Sequence, residues 1–125
     1  MQFMMKMVMD VDKAFQPSPE LMQAIDRFTE ETRRAGKLVQ TGGMASSANV
    51  CSIRASGGRL TVVDGPFLES KEQVGGYAIV EVQSRDEAVE LGRRFMEIHL
   101  KILGPSFVAA SEIQEMFPMP PNRGG

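Results

Sequence analysis

The amino-acid sequence predicts an α+β domain in which two helices cover one face of an antiparallel sheet. Three observations predict it. Apolar side chains alternate at period two over Phe3 to Met9. They recur at helical spacing from Leu21 to Thr32 and again from Ala88 to Ile102. Between the two helical stretches lie short β-rich runs bounded by glycine. The length of 125 residues suits one domain, which buries roughly two-thirds of the surface its unfolded chain exposes.

The first strand runs from Phe3 to Met9, with Phe3, Met5, Met7 and Met9 on one face and Met4, Lys6 and Val8 on the other. Both faces are largely apolar. Ser18 is a good N-cap, Pro19 suits the first helical position, and Glu20 complements the helix dipole. A helix is therefore expected over Pro19 to Ala35, with Leu21, Ile25, Phe28 and Thr32 on its inner face and Gly36 at its end. Leu38 to Met44 reads as a second strand, whose Gly42 and Gly43 mark a bulge or a close approach of backbone.

Asn49 to Ala55 and Arg59 to Asp64 form a hairpin about Ser56, Gly57 and Gly58. A loop then leads to Val74, and Gly75 to Val82 returns as a central strand. Ser84 followed by Glu87 is a capping box that opens a second helix. Its stripe is Ala88, Leu91, Phe95, Ile98 and Ile102, and Gly104 with Pro105 ends it. A last strand spans roughly Ala109 to Phe117, so the domain covers residues 1–117. Residues 118–125, rich in proline and glycine, are expected to form a mobile tail.

The order strand, helix, strand, hairpin, strand, helix, strand is the ferredoxin-like pattern. Two helices cover one face of such a sheet, yet the strands near Met5 and Val80 are apolar on both. The bare face calls for a partner, most simply a second copy, so a homodimer is expected.

Composition narrows the function classes. With 14 basic and 16 acidic side chains the net charge is −2, which gives no field to draw the chain onto nucleic acid. No apolar stretch approaches the ~18 residues of a membrane span, and the run at Met1 to Met9 reads as a strand rather than a signal segment. The single cysteine, Cys51, cannot pair within the chain, fits a reducing cytoplasm, and is expected to be a small buried hydrophobe. One histidine and one cysteine cannot assemble a zinc, haem or iron–sulfur ligand set, and neither a phosphate loop nor a serine nucleophile elbow is present, so no cofactor is expected. Ten methionines point to a deformable core or interface, and the same softness suits a promiscuous apolar pocket.

Asp64-Gly65-Pro66-Phe67, followed by Glu69, Lys71, Glu72 and Gly75-Gly76-Tyr77, resembles the signature of the DGPF, or YCII-related, family of bacterial proteins. The resemblance covers roughly Gln2 to Phe117. It implies a ferredoxin-like subunit that forms a dimeric α+β barrel. It also implies one of two functions. Some relatives are thought to be small cofactor-free enzymes, whereas others occur beside sigma-factor genes, which suggests a binding or regulatory module linked to bacterial transcription control. Members with a proposed histidine and aspartate pair carry that histidine on the first helix, where this chain has none.

The signature also reads physically. Pro66 suits the second position of a turn, and Asp64 can accept a hydrogen bond from a backbone N–H one to three residues on, with Phe67 as a plug. Asp64, Glu69 and Glu72 can alternatively place carboxylates along the rim of a cleft, where desolvation would raise a pKa toward that of a useful base. Lys71 between Glu69 and Glu72 offers ordinary surface pairing instead. The candidate catalytic set is Asp64 as base or orienting acid, Glu72 as a second carboxylate, and His99, one residue past the apolar stripe of the second helix. The expected ligand is a small apolar organic molecule, and the expected chemistry, if any, is proton transfer of the lyase or isomerase type.

Overall fold

The computed structural model describes residues 1–45, 50–65 and 72–118. Its elements are β1 (Gln2–Asp10), α1 (Pro19–Arg34), β2 (Leu38–Gly43), β3 (Cys51–Ser56), β4 (Arg59–Asp64), β5 (Glu72–Glu81), α2 (Arg85–Leu103) and β6 (Ala110–Glu115). Single 3-10 turns follow β1 at Val11–Lys13 and α2 at Gly104–Ser106.

Local chemistry sets the helix ends. Ser18 Oγ accepts the Leu21 N–H at 3.2 Å with Pro19 beside it, and Ser84 Oγ accepts the Glu87 N–H at 3.1 Å. The Glu87 carboxylate turns to Lys37, 3.3 Å away, and so ties the start of β2 to α2. At the end of α1, Gly36 takes a φ of 75°, and the N–H groups of Gly36 and Lys37 return to the carbonyls of Arg33 and Thr32. This is a Schellman closure, which needs a residue without a Cβ at that point.

Four strands form one antiparallel sheet in the order β2-β5-β1-β6, an order compatible with a ferredoxin-like α+β fold. Partners across the ladders share a face, so Phe3, Val80 and Leu38 lie in one row and Met5, Ala78 and Ile113 in the next. Phe28 of α1 and Ala88 and Leu91 of α2 pack against this same face to make the core. Arg94 of α2 locks the two helices, reaching Glu31 at 2.8 Å and lying 4.9 Å above the Phe28 ring.

The opposite face carries Met4, Lys6 and Val8 of β1 beside Ile79, Tyr77 and Val74 of β5, all half-buried. No helix among the described residues is long and apolar enough to cross a membrane.

Three expectations are corrected. β5 begins at Glu72 rather than Gly75, because β1 extends to Asp10 and its free ladder pairs with the polar start of the strand. The bulge in β2 falls at Val39, between Leu38 and Gln40, while Gly42 instead serves close approach, its missing Cβ lying 3.1 Å from the Tyr77 ring. Cys51 is exposed, since β3 and β4 form a separate two-stranded sheet outside the core. Asn49, Lys71 and most of the expected tail lie outside the described residues.

Candidate functional site

Glycines on neighbouring strands meet where α1 passes over the sheet. Gly43 of β2 pairs with Gly76 of β5, which pairs in turn with Met7 of β1, so both glycines belong to the helix-covered face. The Met44 N–H reaches the Gly75 carbonyl at 3.0 Å and continues the contact. Gly75 is the extra residue where the β1–β5 register shifts, and a Cβ there would meet Met9 Cε at 2.8 Å. A Cβ on Gly43 would meet nothing within 4 Å. The sheet therefore has no side-chain volume under the middle of α1.

A cavity of about 760 Å³ results. Its floor is Met5, Met7 and Met9 with the glycines, one wall is Leu21, Ile25 and Phe28 of α1, and the far end is Leu91, Phe95 and His99 of α2. Met22, Asp26, Thr41 and Met44, all exposed, stand at its mouth. Unbranched thioether side chains adapt to irregular apolar shapes.

His99 is 2% exposed and sits in an aromatic cage. Its ring stacks on Phe107 with centroids 5.2 Å apart, and meets the edges of Phe95 at 4.7 Å and Phe15 at 5.8 Å. Nδ1 lies 2.9 Å from the Phe95 carbonyl oxygen. A carbonyl only accepts, so Nδ1 carries the proton and Nε2 bears the lone pair. Burial pushes the His99 pKa below 6.5, and the Phe95 hydrogen bond opposes this only in part, so the ring is neutral at pH 7. With Nδ1 committed to the Phe95 carbonyl, Nε2 is the ring atom left to accept a hydrogen bond.

The three candidates named from sequence do not come together. His99 lines the cavity. Asp64 ends β4 opposite Cys51 and is exposed; Glu72 begins β5 opposite Asp10 and is exposed; neither lines the cavity. The Gly65 N–H goes to the Val50 carbonyl at 2.7 Å rather than to Asp64. Pro66, Phe67, Glu69 and Lys71 lie outside the described residues, so the turn around Asp64 and its partner N–H do too. Among the described residues no three His, Cys, Asp or Glu side chains gather as a metal site.

Sequence reasoning missed the cage and the glycine floor. Phe95 lies four residues before His99 and was legible as a neighbour on the same helix face, but Phe15 and Phe107 come from segments outside both helices.

Comparison with known proteins agrees with the signature. The family model of the YCII-related domain matches residues 1–98. An uncharacterized protein of Rhizobium meliloti (strain 1021) is 37% identical over 73 residues, which are 58% of this chain and 59% of that protein. The matched segment thus spans less than two-thirds of that relative's length.

Proposed function

The chain belongs to the YCII-related domain family, and on that premise we propose that it binds a small apolar organic molecule in the methionine-lined cavity under α1. The observation that carries this reading is the cavity itself. Its volume of about 760 Å³ falls within the usual ~300–1,000 Å³ range of ligand pockets, and its lining is mainly apolar, with polar side chains such as Thr29, Thr32, Ser111 and His99 among it. A neutral imidazole nitrogen in an apolar cavity accepts a hydrogen bond, so the favoured ligand presents one O–H or N–H toward α2.

The same atom supports a second reading, cofactor-free proton transfer. A lone pair held ready at pH 7 is what a general base needs, and a single base can remove a proton and return it elsewhere on the same molecule. In that reading His99 is the proton carrier, and Asp64 and Glu72 stay exposed outside the cavity.

The chain acts as a homodimer through the open face of the main sheet. Met4, Val8 and Ile79 are apolar there, and no helix among the described residues lies over them. The exposed, unpaired Cys51 suits a reducing compartment, the cytoplasm.

Thermal shift with apolar aromatic compounds, matched in pairs with and without a hydroxyl, tests the site. Saturating compound at ~100 times its Kd stabilises the fold by about 2.7 kcal/mol. Hydroxylated members should bind more tightly, and Gly43→Val should abolish the shift by filling space that nothing else occupies. Shifts unchanged in Gly43→Val would place binding elsewhere. Recovery of the compound unchanged after long incubation points to binding alone, and conversion that is lost in His99→Phe points to catalysis.

A further inference from the structure

We infer that the β3–β4 hairpin is a dimerisation arm whose apolar face packs against a second copy of this chain. The inference rests on the dimer reading above and extends it to a surface outside the main sheet. Ladder partners assign the faces: Cys51, Ile53 and Ala55 share one side with Asp64, Val62 and Leu60, while Ser52, Arg54 and Ser56 share the other with Val63, Thr61 and Arg59, where the half-buried Val63 is the one large apolar side chain. The hairpin is thus amphipathic, and its apolar side is the more open one. Ile53 is 68% exposed, Leu60 74% and Val62 65%.

The turn is built to hold this shape. Gly57 and Gly58 take φ values of 59° and 77°, the paired left-handed geometry of a two-residue hairpin loop that matches strand twist. A two-stranded ribbon standing alone is marginal in water, because one face of two strands has nothing to pack on. The ribbon therefore needs a cover, and a cross-strand ladder of Ile, Leu and Val selects an apolar one.

Area points to a second copy. A stable pair buries ~800 Å² on each partner, well beyond what three aliphatic side chains supply. The apolar surface available to complete that area is on the same chain, at Met4, Val8 and Ile79 of the open sheet face. Around a two-fold axis each copy presents both surfaces and covers both, so one self-complementary contact removes two exposed apolar regions at once.

The test is sedimentation velocity of the full chain over a wide concentration range, for the wild type, for Leu60→Lys with Val62→Lys, and for Thr61→Lys on the opposite side of the arm. The dimer dissociation constant should rise about a hundredfold in the double variant, equivalent to about 2.7 kcal/mol, and stay unchanged in Thr61→Lys. Circular dichroism of the double variant should match the wild type, because both side chains already face solvent in the single subunit.

Cys51 gives a second readout on the unaltered chain: as the one thiol, on the arm's apolar side, its maleimide labelling should slow as concentration drives dimerisation. A wild-type dimer unaffected by the double variant, with Cys51 equally reactive at every concentration, overturns the arm and leaves the sheet-face dimer standing. A wild type that stays monomeric throughout overturns both, and leaves the arm to a different protein.

Discussion

His99 couples the fold to pH through its burial. Its folded-state pKa lies below 6.5, mainly because desolvation penalises the imidazolium. A group whose folded pKa is depressed binds protons more readily in the unfolded chain. Its contribution to stability is therefore complete above the unfolded value, is lost as pH falls below 6.5, and levels off once the folded ring protonates too. Urea unfolding midpoints should fall over that acidic interval in the wild type, and the decline should be shallower in His99→Phe, which keeps an aromatic ring in the cage of Phe15, Phe95 and Phe107. An identical decline in the two proteins would mean that His99 is not the group responsible. The residue scale also shows what separates His99 from Asp64 and Glu72. His99 is closed in by three rings and lines the cavity, whereas the two carboxylates are exposed and lie outside it.

At the scale of elements, the cavity depends on two strands that lack side chains at the same height. Gly76 and Gly43 are ladder partners but make different demands. A Cβ on Gly76 would lie 3.1 Å from the Gly42 carbonyl oxygen, a backbone atom that cannot swing away, so Gly76→Ala should destabilise by about 1–3 kcal/mol. Gly43→Val meets open space and should change stability by about 0.5 kcal/mol at most. Chemical denaturation of both variants checks the contrast, and equal costs would mean that the strands are not held in this register. The contrast also shows where the sequence was readable. Helix limits were legible because caps are local: Ser18 with Pro19, and Ser84, name their own positions. The hairpin was legible for the same reason, through Gly57 and Gly58. The start of β5 was not, since Glu72 and Gln73 become strand only by pairing with Asp10 and Met9. Nor was the cavity, because Gly43 and Gly76 are distant in the chain and only register unites them. Cys51 was misjudged on similar grounds, as its burial depends on whether the hairpin docks on the core, which no local pattern encodes.

For the whole molecule, the two faces of one four-stranded sheet carry separate tasks. The face bearing Met5, Met7 and Val80 meets the helices and opens into the cavity. The face bearing Met4, Val8 and Ile79 lies opposite the helices and is the one proposed to meet a second copy. Alternation along each strand keeps the tasks apart, because neighbouring residues point to opposite sides and a change on one face leaves the other in place. Ile79→Lys puts this to use. The side chain is half-buried on the open face, away from the core cluster of Phe3, Val80, Val82, Ala88 and Leu91, so the subunit should remain folded. An ammonium placed on each partner at an apolar contact meets like charge and loses hydration, so the dimer should dissociate. The cavity lies on the far side of the same strand, and the monomeric variant should still show the thermal shift of the wild type with the hydroxylated compounds. Sedimentation and thermal shift on the one variant decide the matter together. A monomer that binds establishes two independent faces. A monomer that has lost binding while keeping its circular dichroism would mean that the partner subunit completes the mouth beside Met22 and Met44, and that the site belongs to the pair.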